Sequence, residues 1–157
     1  NYEGMAHRRA VIFYNKSFFI LVDEAIGNEK GLLDLNFQLA PGKVSIDKEN
    51  LAVQTLFEKG YNLSIKAHEM SKLDLERQEG QVSFVYTVKE PRPAFSFSKE
   101  WDGKKNGMRF ITSLVPFQGK TPPQLDIKLG SKTKIGSNKV TLEIFINGEK
   151  ETLSYHF

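Results

Sequence analysis

The chain has 157 residues, 39% of them hydrophobic, a size and composition that suit one compact domain able to bury most of its surface. It holds 22 basic and 19 acidic residues for a formal charge of +3, and no cysteine, so packing and not disulfides must stabilise it. Its apolar runs reach about half a dozen residues where a membrane-crossing helix needs about 20, and its basic residues are dispersed, with no basic helix, zinc-finger spacing or RNA-binding aromatic motif, which argues against membrane and nucleic acid.

A hairpin opens the chain. His7-Arg8-Arg9-Ala10-Val11-Ile12-Phe13 and Phe18-Phe19-Ile20-Leu21-Val22-Asp23-Glu24 are apolar runs with a histidine, two arginines and a carboxylate gathered at their open end. Side chains alternate faces along a strand, so the turn decides which of these residues meet. A two-residue turn at Asn15-Lys16 pairs Tyr14 with Ser17 and separates His7 from Asp23. A three-residue turn through Ser17 pairs Tyr14 with Phe18, sets Asp23 opposite Arg9 and makes His7 its diagonal neighbour. Because the first residue is Asn1 and a strand follows within a few residues, we expect a fragment of a longer polypeptide.

After a turn marked by Asn28, Lys30 and Gly31, Leu33, Leu35, Phe37 and Leu39 alternate with Asp34, Asn36 and Gln38, the pattern of a strand with one buried face. Ala40-Pro41-Gly42 stops it. From Asp47 to Gly60 the signals conflict, since Asp47 can cap a helix that Gly60 ends while Leu51, Val53, Thr55 and Phe57 alternate; strand is favoured by its neighbours. Tyr61 to Ala67 alternates and ends at His68. Glu69 to Gly80 is charged without clean periodicity and reads as a loop ahead of a strand from Val82 to Val88. Pro91 and Pro93 read as a chain reversal, Ala94 to Ser98 as a short strand, Trp101 to Gly107 as a turn-rich tip, and Met108 to Val115 as a strand halted by Pro116. Beyond the rigid Thr121-Pro122-Pro123 connector, Leu125, Ile127 and Leu129 alternate weakly. Val140, Leu142, Ile144 and Ile146 then run into Asn147-Gly148, a pair that favours the positive backbone angles of a type I′ hairpin turn. About ten or eleven strands and no convincing long helix make an all-β fold, an antiparallel β-sandwich forming one domain.

Candidate chemistry is sparse. His7 precedes the first strand, His68 follows the Tyr61 to Ala67 run and Asp23 ends the second strand; two imidazoles and a carboxylate leave one tetrahedral position open, a recognised zinc ligand set. The competing reading pairs Asp23 with Arg8 or Arg9 across the hairpin and leaves both histidines as ordinary polar residues. Trp101, Tyr86 and Phe97 are either a sugar-stacking platform or core and hairpin anchors. Lys128, Lys132, Lys134 and Lys139 suit a polyanion or plain solvation. The chain has neither a phosphate-cradling glycine loop followed by Lys and Ser/Thr nor a Gly-x-Ser-x-Gly elbow.

Taken in order, His7-Arg8-Arg9-x-Val11-x-Phe13, Phe18-Phe19-x-x-Val22-Asp23, Leu35-Asn36-Phe37-x-Leu39-Ala40-Pro41-Gly42, Pro93-x-Phe95 and Phe110-x-Thr112-x-Leu114-x-Pro116 resemble the C-terminal β-domain of heparinase II/III-like polysaccharide lyases. The resemblance implies a two-part enzyme in which an N-terminal α/α-toroid, outside this chain, supplies most catalytic residues and packs on a β-sandwich that completes the cleft. It implies β-elimination on an anionic uronic-acid polysaccharide such as heparan sulfate or alginate, and a periplasmic or secreted bacterial location. It also implies a zinc ion held by His7, Asp23 and, by order and approximate position, His68, which the isolated domain can lack. Some members carry a catalytic histidine two residues before the zinc-binding one; Met5 stands there, so no catalytic residue is expected in this domain and the fragment alone is expected to be inactive. From a different class, the alternative is a free-standing carbohydrate-binding or adhesion-type sandwich.

Overall fold

The computed structural model describes residues 3–68, 73–104 and 106–157. These form β1 (Met5–Tyr14), β2 (Phe18–Gly27), β3 (Gly31–Gln38), β4 (Val44–Asp47), β5 (Ala52–Thr55), β6 (Asn62–His68), β7 (Asp74–Val85), β8 (Val88–Trp101), β9 (Gly107–Phe117), β10 (Leu125–Leu129), β11 (Lys139–Ile146) and β12 (Glu149–His156). They pair antiparallel throughout. A six-stranded sheet has the order β1-β2-β9-β6-β5-β4, and two three-stranded sheets have the orders β3-β8-β7 and β10-β11-β12.

Alternation along β9 shows how the sheets stack. Ile111 and Val115 join Ile20, Val22, Ile127, Val140, Leu142 and Ile144 in one core, whereas Met108 and Phe110 join Leu35, Ile65, Leu75, Phe95 and Phe97 in another. Residues of opposite parity point to opposite faces. The six-stranded sheet is therefore a shared middle layer, with β10-β11-β12 on one face and β3-β8-β7 on the other. A strand covered on both faces reads as a near-continuous buried run, as β2 and β9 do.

The ambiguous stretch from Asp47 to Gly60 resolves as a turn, the short strand β5 and a loop: Asp47, the last residue of β4, caps the turn and not a helix, its Oδ1 accepting from the Asn50 N–H at 3.0 Å, and Leu51 turns the chain at φ 50°. The expected loop from Glu69 to Gly80 is corrected from Asp74 onward, where the chain is β7; residues 69–72 lie outside the described residues. β7 is a sheet edge, so its charged side chains are solvated and only Leu75 carries an inward signal. The chain reverses at Tyr86-Thr87, with Thr87 at φ 67°, and not at the prolines. The Pro93 carbonyl accepts from the Leu39 N–H at 2.9 Å, so the polar edge of Pro93, and of Pro91 two residues earlier, faces the β3 side. Since β3 ends opposite Ala94, neither proline removes a ladder hydrogen bond. The β7–β8 ribbon continues past that point as a two-stranded arm with Tyr86, 92% exposed, at its tip. Phe97 is in the core and Trp101 ends β8, about 45 Å along the chain from the tip, so the three aromatics form no common platform. The last hairpin turns at Asn147 and Gly148, with φ of 50° and 91° as expected.

A charge network closes the face covered by β10-β11-β12. Glu24 is fully buried, with Oε2 accepting from Arg8 Nε at 2.7 Å and from the Gly136 N–H at 3.1 Å, and Oε1 from Arg109 Nε at 2.6 Å. Arg8 Nη2 also donates to the Ser137 carbonyl at 2.6 Å, and Arg109 Nη2 to the Lys134 carbonyl at 2.9 Å. The β10–β11 connection is thereby tied to the sheet, while Lys128, Lys132, Lys134 and Lys139 project into solvent. Removing one partner of such a network leaves uncompensated buried charge. We expect Glu24→Gln to lower unfolding free energy by about 3–5 kcal/mol, measured by denaturant titration, and to expose the 130–138 connection to proteolysis.

Candidate functional site

The site is built by one turn. Asn15 and Lys16 adopt φ of 45° and 53°, the Ser17 N–H donates to the Tyr14 carbonyl at 2.9 Å, and Tyr14 pairs with Phe18 across a three-residue turn. The register then puts Arg9 opposite Asp23, so His7, Arg9 and Asp23 share one face of the hairpin and Arg8 and Glu24 the other. The Asp23 side chain is 3% exposed; its Oδ1 accepts from His7 Nε2 at 2.8 Å and from Arg9 Nε at 2.6 Å. Its Oδ2 is buried and has no hydrogen-bond partner among the described residues.

These residues line a groove of about 430 Å³ between two sheet edges. β1, an edge of the six-stranded sheet, contributes Met5, His7 and Arg9, while β3, an edge of its covering sheet, contributes Leu32 to Asn36; Asp23, Ala25 and Phe110 line the groove between them. On the same face, away from the groove, the covering sheet runs out. The cross-strand row Phe13, Phe19, Leu114, Ile65 passes from open to fully covered: Phe13 is 55% exposed and Ile65 1%. Val11, also exposed, and the Phe13–Phe19 stack, centroids 4.6 Å apart, leave an apolar stripe continuous with the polar groove.

His68 does not join the His7–Asp23 pair. It is opposite Ile111 on β9, whereas Asp23 is opposite Phe110, so His68 emerges on the other face of the middle sheet. There its Nδ1 accepts from the Ile127 N–H at 3.2 Å, which leaves the proton on Nε2, donating to Ser113 Oγ at 2.9 Å. Burial, with the nearby Lys66 charge, pulls its pKa down to about 4; Asp126, 3.4 Å from Nδ1, opposes this and is outweighed. Ser113, His68 and Asp126 thus follow the order of a hydrolase relay with the proton on the wrong nitrogen, because a base must accept the serine proton at Nε2. The imidazole is a pin between β6 and β10. Local spacing carries no clue to this, since the face of His68 follows from pairing through β9. Among the described residues no three of His, Cys, Asp and Glu are grouped to hold a metal. Asp34 and Asn36, which alternation marks only as wet positions of β3, line the groove, as does Arg9, the salt-bridge partner of Asp23.

Residues 1–128 match the family model described as heparinase II/III-like, C-terminal. A heparin-sulfate lyase of Bacteroides stercoris is 30% identical over 156 residues, covering 99% of this chain and 23% of the relative. One of Pedobacter heparinus is 32% identical over 154 residues, covering 96% of this chain and 23% of the relative. Of solved structures, heparan sulfate lyase HepC from Pedobacter heparinus superposes with a TM-score of 0.91 at 30% identity, over 99% of this chain and 24% of that one. A heparinase III structure gives a TM-score of 0.90 at 28% identity with the same coverage. The chain spans about a quarter of the length of the curated relatives it matches.

The His68 pin carries a pH signature. Its folded pKa of about 4 lies below the ordinary histidine value of 6.5, so the unfolded chain binds the proton more readily. The stability it protects is intact above pH 6.5 and drains as pH falls toward 4, by at most about 3 kcal/mol. Melting curves between pH 7 and 4.5 should fall more steeply for the native protein than for His68→Gln; parallel curves would remove the assignment.

Proposed function

Because this chain belongs to the heparinase II/III-like family, as its C-terminal β-domain, we propose that it is the accessory β-sandwich of a polysaccharide lyase that cleaves a uronic-acid polymer of the heparan sulfate kind by β-elimination, and that it forms one wall of the substrate cleft. The observation that carries this reading is the half-open β1–β2 face, where the groove of His7, Arg9 and Asp23 runs into the uncovered stripe of Val11, Phe13 and Phe19. β-Elimination requires removal of the C5 proton and departure of the oxygen at C4. The thioether of Met5 transfers no proton, and His7 spends Nε2 on Asp23, which leaves only Nδ1 for acid–base work. The groove suits holding a polymer, with the proton transfers supplied by the upstream part of the polypeptide, which we place as an α/α-toroid over the apolar stripe. A polymer substrate also favours a periplasmic or secreted location.

Zinc fits this site in part. His7 and Asp23 offer a nitrogen and a carboxylate side by side, and the unpartnered, buried Asp23 Oδ2 is the kind of atom a cation would satisfy. His68 is the wrong third ligand, being on the opposite face, and among the described residues no other His, Cys, Asp or Glu is grouped with His7 and Asp23 to complete the set. Bound there, zinc would be structural, fixing the end of β1 to β2 and compensating Asp23.

The full polypeptide that carries this chain should release unsaturated, ultraviolet-absorbing ends from heparan sulfate, and the 157-residue chain alone should release none. Turnover by the isolated chain would overturn the accessory role. Elemental analysis of the full polypeptide should find zinc reduced by His7→Ala and by Asp23→Ala but retained in His68→Gln; equal zinc in all of them would remove the metal site.

A further inference from the structure

We propose that Arg9 is the anion-reading residue of the groove, its terminal guanidinium nitrogens receiving a planar oxyanion, carboxylate or sulfate, of an acidic sugar. This rests on the lyase reading for the identity of the polymer. A guanidinium has five N–H donors, and an arginine placed for an ion pair alone generally takes a carboxylate in a two-pronged fork. Among the described residues Arg9 makes one side-chain hydrogen bond, Nε to Asp23 Oδ1 at 2.6 Å, and Asp23 Oδ2 has no partner. The four N–H groups on its two terminal nitrogens have no partner among the described residues. Asp23 is buried and Arg9 is 41% exposed, so the carboxylate fixes the guanidinium from beneath while the other edge borders the groove.

The other two arginines at this end of the sheet behave differently. Arg8 is spent on Glu24, the Ser137 carbonyl and the Phe157 ring, 3.8 Å from its guanidinium carbon, and Arg109 on Glu24 and the Lys134 carbonyl. Both lock the fold; Arg9 keeps its donors. The walls suit a sugar: Leu32 and Leu33, beside Ala25 and Phe110, offer apolar contact to a ring face. Asp34 and Asn36 on the β3 wall can bond sugar hydroxyls. The negative charge of Asp23 does not face an incoming anion bare, since its Oδ1 is already shared by Arg9 and His7.

Steady-state cleavage by the full polypeptide tests this with Arg9→Gln and Arg9→Lys. Lysine keeps a positive charge for Asp23 but has one ammonium to spend, so it can hold the carboxylate or the substrate and not both in fork geometry. We expect KM for heparan sulfate to rise about tenfold or more in both variants, the loss of a charge-assisted bidentate contact, with a smaller change in kcat. Against the desulfated polymer the rise should persist if Arg9 reads carboxylates and vanish if it reads sulfates. Arg9→Lys with unchanged melting temperature and native KM would overturn the proposal and leave Arg9 a structural counter-ion. So would a drop in kcat with KM unmoved. Failure of the unmutated polypeptide to cleave heparan sulfate would instead refute the lyase reading.

Discussion

Two adjacent carboxylates on a largely buried strand of the middle sheet set the conditions for everything around them. Asp23 and Glu24 of β2 point to opposite faces of the middle sheet, and each is met by one of two adjacent arginines of β1, Arg9 and Arg8. Taking a carboxylate out of water costs several kcal/mol unless it is compensated, so the pairing of β1 with β2 has little freedom. A slip of one residue would send the longer Glu24 side toward the groove and leave Asp23 among Arg8, Arg109 and the Gly136 N–H, too short to serve them all. The three-residue turn at Asn15-Lys16-Ser17 is what holds the correct register.

The two faces then part company. Glu24 is satisfied entirely by its own chain, through two guanidinium groups and a backbone amide, and that satisfaction fastens the β10–β11 connection and completes one core. Among the described residues Asp23 is satisfied on one oxygen only, on a face where the β3-β8-β7 sheet covers β6 and β9 and stops short of β1. A finished face and an unfinished one are built from neighbouring residues of the same two strands. The incompleteness on the Asp23 side is polar at one end and apolar at the other.

Much of this was readable in the sequence because strand parity is arithmetic. Once the turn is granted three residues, Arg9 must oppose Asp23 and His7 must lie diagonally from it, and the Asn147-Gly148 hairpin follows from backbone preference in the same way. What the sequence hid were the consequences of non-local pairing. His68 follows an alternating run as the resemblance suggests, yet its face is decided by β9, some forty residues later, and it ends on the side away from Asp23. Pro91 and Pro93 look like breakers until the end of β3 is located, and the charged residues of β7 look like a loop until that strand is known to be an edge. The strand count and the sandwich were legible; the third layer was not, because alternation tells which face is buried without telling what buries it.

A domain can matter to a reaction through position alone. Donors that orient a bound sugar must be held to a fraction of an ångström, and side chains on loops seldom are. Here the guanidinium of Arg9 is fixed by Asp23, Asp23 is fixed by β2, and β2 is clamped between β1 and β9 with both of its faces carrying buried side chains. The opposite wall, β3, hydrogen-bonds to β8, whose Phe95 and Phe97 anchor the second core edge-to-face at 5.6 Å. Each wall of the groove is therefore tied to a core by one intermediate, and the distance between the walls is set by the packing of the two sheets. Rigidity, acquired on the covered side of each strand, is what this fold has to offer on the open one.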